Sequence, residues 1–200
     1  MSGEVNSNVT VTLKNVICDY TTGLFEARSY LNSEELRYSI SVIVPRNSPA
    51  FTAFSNAVAK SLQAVFPKDW EKKLSDWKNN SQKCCFMDGS VKDESRYPEN
   101  SIVISANRNK KQGPIIVVDR GLKPVTLESG LIYPGCIINT TINIWTQTQT
   151  GLLGLRAQAV NVQFVEHGDR LPGGGVATTE GLEVIPDAEN DNFEGTPGLI

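Results

Sequence analysis

Residues 136–145 read CIINTTINIW and divide by parity. Cys136, Ile138, Ile142 and Ile144 fall on one face, and Asn139, Thr141, Asn143 and Trp145 on the other, with Ile137 the exception. Alternation at period two marks a strand with one buried face and one wet face. Residues 146–150 and Gly151 make a hairpin connection, and a partner strand follows over roughly 153–165. Its apolar residues begin on the parity of Leu155, Ala157 and Ala159, then shift to Val160, Val162 and Phe164. One extra residue in a strand, a β-bulge, produces that shift of phase. Bulged, strongly curved antiparallel strands let a small sheet close on itself. The expected class is mainly β, a curved antiparallel barrel.

The flanking segments agree. VTVTLKNV (9–16) places Val9, Val11 and Leu13 on one face, and RYSISVIV (37–44) places Tyr38, Ile40, Val42 and Val44 inward with Arg37, Ser39 and Ser41 outward. SIVISA (101–106) and PIIVVD (114–119) read as two more strands. The basic stretch 107–113, with Arg108, Lys110 and Lys111, is expected at a hairpin tip between them. One main helix begins at Ser48-Pro49, where Ser caps and Pro suits the first turn, and carries Phe51, Phe54, Val58, Leu62 and Val65 at helical spacing. A second, short helix over 69–78 gathers Trp70, Leu74 and Trp77 on one side, a pattern that favours packing over recognition. Residues 79–100 are polar and turn-rich, and read as a surface connection.

Charge is unevenly distributed. The chain of 200 residues carries 19 Lys+Arg and 22 Asp+Glu, yet Glu180, Glu183, Asp187, Glu189, Asp191 and Glu194 all follow residue 175, with no base among them. Residues 1–175 therefore hold 19 bases against 16 acids, a net +3. Gly173-Gly174-Gly175 reads as a hinge, giving a domain over 1–172 and a disordered acidic tail over 173–200. No apolar run approaches the roughly 18 residues a membrane helix needs. The expectation is a soluble intracellular protein with no membrane partner.

Catalytic signatures are missing from the sequence. There is no nucleophile elbow, phosphate-binding P-loop or paired-histidine zinc motif. A single histidine, His167, and cysteines at 18, 84, 85 and 136 fit no metal-ligand spacing, and reduced thiols are expected. The sequence thus predicts no enzyme, no metal and no cofactor. A binding surface is better supported. Trp145 stands on a polar parity, either at the rim of the core or as a stacking platform; Arg156 follows on the partner strand, facing away from Leu155 and Ala157. Arg37, Arg108, Lys110 and Lys111 add cations, and Tyr20 and Phe25 add rings after the first strand. Cations that follow phosphates, with rings that stack bases, describe a groove for single-stranded nucleic acid.

Several segments carry a resemblance. They are Leu13-Lys14-Asn15-Val16 leading to Tyr20 and Leu24-Phe25; YSISVIVP (38–45) before an Ala-rich helix; IYPGCIIN (132–139); and VNVQFV (160–165) running through Gly168 into glycines and an acidic tail. In this order they resemble a family of phage-encoded single-stranded DNA-binding proteins with an OB-type fold, over most of residues 9–175; residues 69–100 depart from the pattern. The resemblance implies an OB-like β-barrel and sequence-independent binding of single-stranded DNA in replication, recombination or repair, in the cytoplasm of an infected bacterial host. It also implies an acidic tail that competes with DNA and recruits replication or recombination proteins. Oligomeric state is left open. The alternative is a non-enzymatic virion structural or assembly protein that uses the same barrel for protein contacts.

Overall fold

A computed structural model describes residues 6–29, 34–93, 96–149 and 151–172. The expected glycine hinge and acidic tail, 173–200, lie outside the described residues. In chain order the strands are β1 (Val9–Tyr20), β2 (Arg28–Ser29), β3 (Leu36–Pro45), β4 (Phe86–Asp88), β5 (Ser101–Asn109), β6 (Ile116–Val118), β7 (Ile137–Gln147) and β8 (Gly154–Glu166). The helices are α1 (Pro49–Val65), α2 (Trp70–Trp77) and α3 (Gly89–Asp93).

Strand parity builds the ring. Val9, Val11 and Leu13 share the inner face of β1 until Asn15 adopts a φ of 54°, and the register against β7 shifts between Leu13 and Val16. Asn tolerates this left-handed conformation better than most side chains. The inward parity then moves to Val16 and Cys18, both fully buried. In β8 the predicted change of phase is present: Thr141 faces Asn161 but Ile142 faces Ala159, which leaves Val160 as the extra residue. Strands β3, β1, β7, β8 and β5 bond in that order, and β3 pairs antiparallel with β5 to close the circuit. The join between β5 and β8 is one parallel contact, Asn107 with Gln158. The protein is mainly β, an OB-like ring less regular than a continuous barrel.

Helix α1 fills the ring. The Ser48 hydroxyl accepts the Phe51 N–H at 3.2 Å, and Phe54, Ala57, Val58, Ser61 and Leu62 are buried. All but Ser61 pack with Leu13, Ile138, Ile144 and Leu155 in one apolar cluster. Each large side chain so covered contributes about 1.5–3 kcal/mol. Helix α2 buries Trp77, whose ring meets Phe66 edge-on at 5.8 Å, so this tryptophan belongs to packing.

Two expectations are corrected. Residues 107–113 are not a hairpin tip: β5 runs on to Asn109, a 3-10 turn occupies Lys110–Gln112, and β6 pairs parallel with β8 rather than with β5. Two strands near in sequence looked like a hairpin because parity carries no information about pairing partners. Residues 79–100 are likewise more than a connection, since they supply β4 and α3. The Asn79 amide donates to the Asp88 carboxylate at 2.9 Å, and the Asp88 N–H returns a bond at 2.7 Å. Phe86-Met87 is too short an apolar run to announce a strand.

The segments that carry the family resemblance meet one another. Gly135 has a φ of 110°, and a Cβ there would lie 1.9 Å from the Asp169 carbonyl oxygen, so only glycine fits. The Tyr133 hydroxyl donates to the Gly168 carbonyl at 3.0 Å and accepts the Gly168 N–H at 3.2 Å, while its ring stacks on His167. IYPG and the chain after β8 are locked together by these contacts.

Candidate nucleic-acid interface

The outward parity of β7 holds Asn139, Thr141, Asn143, Trp145 and Gln147, all half-buried. Trp145 and Arg156 are register partners, directly opposite across β7 and β8. The indole N–H donates to the Gln147 side-chain oxygen at 3.1 Å, which satisfies the polar edge of the ring. Among the described residues no other ring or cation stacks on Trp145. It is half-buried and lies outside the apolar cluster that fills the ring of strands. The Arg156 guanidinium donates to the Leu152 carbonyl at 3.3 Å.

Two residues further along β8, the Gln158 amide donates to the Gln112 side chain at 2.6 Å, bringing the Lys110–Gln112 turn to the same face. Asn109 caps that turn by accepting the Lys111 N–H at 2.9 Å, and both lysines are exposed. Arg37 pairs in register with Asn109, so it sits at the same end of β5. Arg37 also bonds Glu35 at 2.7 Å, and together with Lys111 it holds the Glu35 carboxyl below the usual carboxylate range. Exposed pairs of this kind exchange readily for other anions. Trp145, Arg156, Lys110, Lys111 and Arg37 therefore follow one strip over β7, β8, β5 and β3.

Three candidates stand apart from that strip. Arg108 continues the parity of Ile102, Ile104 and Ala106, all buried. Its guanidinium donates to the carbonyls of Gly113 at 3.0 Å, Gln112 at 2.8 Å and Ala159 at 3.5 Å. It pins the basic turn from beneath, and extending the alternation of SIVISA by two residues would have found this. Tyr20 is the last residue of β1 rather than part of the following loop. It is 53% exposed, with the Arg96 guanidinium 5.3 Å from its ring centroid. Phe25 is half-buried in the wall of an open groove of about 570 Å³ lined also by Leu24, Ile115, Val117 and Leu127. Tyr20 and Trp145 lie toward opposite ends of β1, since Val9 pairs with Ile144 and Tyr20 with Ser41.

Behind Tyr20 is a buried node that no local pattern in the sequence foretells. Asp19, fully buried, accepts from Arg96 at 2.9 Å and from the Tyr97 hydroxyl at 3.0 Å, with Lys92 at 3.8 Å. Burial, and then the neighbouring Asp19 charge, push the Tyr97 hydroxyl up to about 12. Burial also pushes the Lys92 ammonium down, against the pull of Asp19. Arg96 further donates to the Pro172 carbonyl. The cations here are already matched to an acid inside the protein. Gln112 and Gln158 also escaped the sequence reading, although the outward parity of 136–145 and 153–165 marks that face as amide-rich.

The family described as Enterobacter phage Enc34, ssDNA-binding protein, matches residues 9–193. A putative protein p50 from Acyrthosiphon pisum secondary endosymbiont phage 1 is 27% identical over 175 residues, covering 85% of this chain and 91% of that protein. Among solved structures, the single-stranded DNA-binding protein of bacteriophage Enc34 in complex with ssDNA superposes with a TM-score of 0.63 at 18% identity, over 80% of this chain and 88% of that one. The single-stranded DNA-binding protein gp2.5 of bacteriophage T7 gives 0.55 at 12% identity, over 94% and 100%. At these identities the structural likeness speaks for the fold.

Proposed function

The chain belongs to the Enc34 phage ssDNA-binding protein family, and on that premise we propose that it binds single-stranded DNA without sequence preference along the strip from Trp145 to Arg37. A base stacks on Trp145, and phosphates follow Arg156, Lys110, Lys111 and Arg37. The observation that carries this reading is the pairing of an outward tryptophan with cations that no described acid neutralises, Arg156 and Lys110. Stacking suits any base, because every base has a π-face, and phosphates carry no sequence information. No step of bond chemistry is assigned to the protein. Its action is to hold unpaired strands during phage replication, recombination or repair in the cytoplasm of the host.

The acidic segment gives the reading a regulatory side. Six acids without a base after residue 175 resemble a polyanion, and a glycine run joins them to the ring. We assign this segment to competition with DNA for the cationic strip and to recruitment of replication or recombination proteins once it is displaced. Deleting residues 176–200 should tighten DNA binding, most clearly at low salt, where unscreened charge acts furthest.

The test is a salt titration with oligo(dT), accompanied by a gel shift comparing single-stranded DNA, duplex and RNA. Affinity for the single strand should fall steeply as salt rises, because bound phosphates release counterions. Weak binding that ignores salt would favour a virion assembly role.

A further inference from the structure

The outer face of the ring carries a hydrogen-bond relay that runs across the strands. The Thr10 hydroxyl on β1 donates to the Asn143 side-chain oxygen on β7 at 2.7 Å. The Asn143 amide donates to the Gln158 side-chain oxygen on β8 at 3.4 Å. The Gln158 amide donates to the Gln112 side-chain oxygen at 2.6 Å, and that same oxygen accepts the Asn109 N–H at 3.3 Å. Each link joins register partners until the last, which leaves the sheet for the turn bearing Lys110 and Lys111. The three side-chain donors, Thr10, Asn143 and Gln158, all point toward the turn, and the Asn109 N–H meets the same Gln112 oxygen from the turn itself.

We propose that Gln158 and Gln112 are positioning residues that hold the Lys110–Gln112 turn in line with Trp145 and Arg156, so that the DNA path is formed before DNA arrives. The inference rests on the function proposed above. Its physical basis is that β5 and β8 are joined by a single pair, Asn107 with Gln158. Beyond the turn β6 pairs with β8 over Ile116–Val118, but on the side where the turn leaves β5 only the Asn107–Gln158 pair ties its backbone to the strand that bears Arg156. Arg108 fixes the turn from inside the ring, through the Gly113, Gln112 and Ala159 carbonyls. The Gln158–Gln112 bond fixes it from outside, on the face where phosphates would run. Lysines held in place lose less freedom when they meet phosphate, and affinity gains by that amount.

The experiment compares the full-length chain with Gln158→Leu and Gln112→Leu, each of which breaks the same bond while nearly keeping side-chain volume. Thr12→Val, which removes a hydroxyl pair with Thr141 on the same face but touches no part of the turn, serves as the control. Two quantities are read: affinity for oligo(dT) across a range of salt, and hydrogen exchange of the Lys111 and Gly113 amides. Both Gln variants should bind about five-fold more weakly with an unchanged salt slope, since no charge is lost, and their turn amides should exchange faster. In either background the further loss caused by Lys110→Ala with Lys111→Ala should be smaller than in the wild type. Full affinity in both Gln variants overturns the inference and leaves the function standing. Loss in Gln158→Leu with turn amides as slow as in the wild type also overturns it, because Gln158 then acts by touching DNA. A wild-type chain that fails to bind oligo(dT) removes the proposed function, and this inference with it.

Discussion

Two groups of cations decorate this ring, and their surroundings differ. Lys92 and Arg96 converge on Asp19, which is fully buried, with Tyr97 closing the set. Arg156, Lys110 and Lys111 lie over β8 and its adjoining turn; among the described residues neither Arg156 nor Lys110 ion-pairs with an acid, and Lys111 has the exposed Glu35 carboxyl near it. The first group answers a charge inside the protein; the second faces outward. A count of lysines and arginines cannot distinguish them. What marks a footprint for a polyanion is positive charge left unmatched beside a ring that can stack.

The comparison predicts opposite outcomes on the two sides. Asp19→Ala should have the largest effect, costing about 3–5 kcal/mol of stability, because a buried pair broken on one side leaves its cations uncompensated. Urea unfolding measures the loss, and the fraction that stays folded should bind oligo(dT) as the wild type does. Trp145→Ala should invert this pattern, losing about 1–3 kcal/mol of DNA affinity with an unchanged unfolding midpoint. If Trp145→Ala destabilises the fold and spares binding, the two sides have been assigned the wrong way round. Lys110→Ala with Lys111→Ala should flatten the slope of log affinity against log salt by about 1.4, at roughly 0.7 for each phosphate contact to a single strand. Lys92→Ala should leave that slope alone.

The smallest effect concerns pH. Tyr97 ionises near 10 when unfolded but is held up to about 12 in the fold. Between those values the unfolded chain loses the proton first, so stability falls as pH rises through that window and is untouched below it. Tyr97→Phe should remove the Tyr97 share of that dependence and so flatten it, which unfolding curves collected from pH 9 to about pH 12 would detect.

Much of the ring was legible in the sequence, and the reason is local. Parity in 136–145 named the buried face of β7 correctly, and the change of phase at Val160 located the bulge. Ser48-Pro49 named the start of α1 because capping needs only adjacent residues. Pairing between distant segments leaves no such trace. The parallel match of β6 with β8 and the union of Asp19 with Arg96 join residues far apart in the chain. The strip was half legible: Trp145 and Arg156 follow from two strands and one hairpin, whereas the arrival of the Lys110–Gln112 turn depends on the closure of the ring. Arg108 shows the opposite failure, since a basic residue in a basic stretch was read as exposed although parity carried it inward. The segments that resemble the family hold the scaffold, as Tyr133 and Gly135 do, so a resemblance in sequence identifies the ring better than it identifies the strip.

Photo-cross-linking can place a base against Trp145. Oligo(dT) carrying 5-iodouracil, irradiated with the full-length chain and digested, reports which ring lies against a base. The adduct should fall on the peptide containing Trp145, weaken as salt rises, and drop sharply in Trp145→Phe. Adducts confined to Tyr20 or Phe25, with Trp145 unmodified, would contradict that placement.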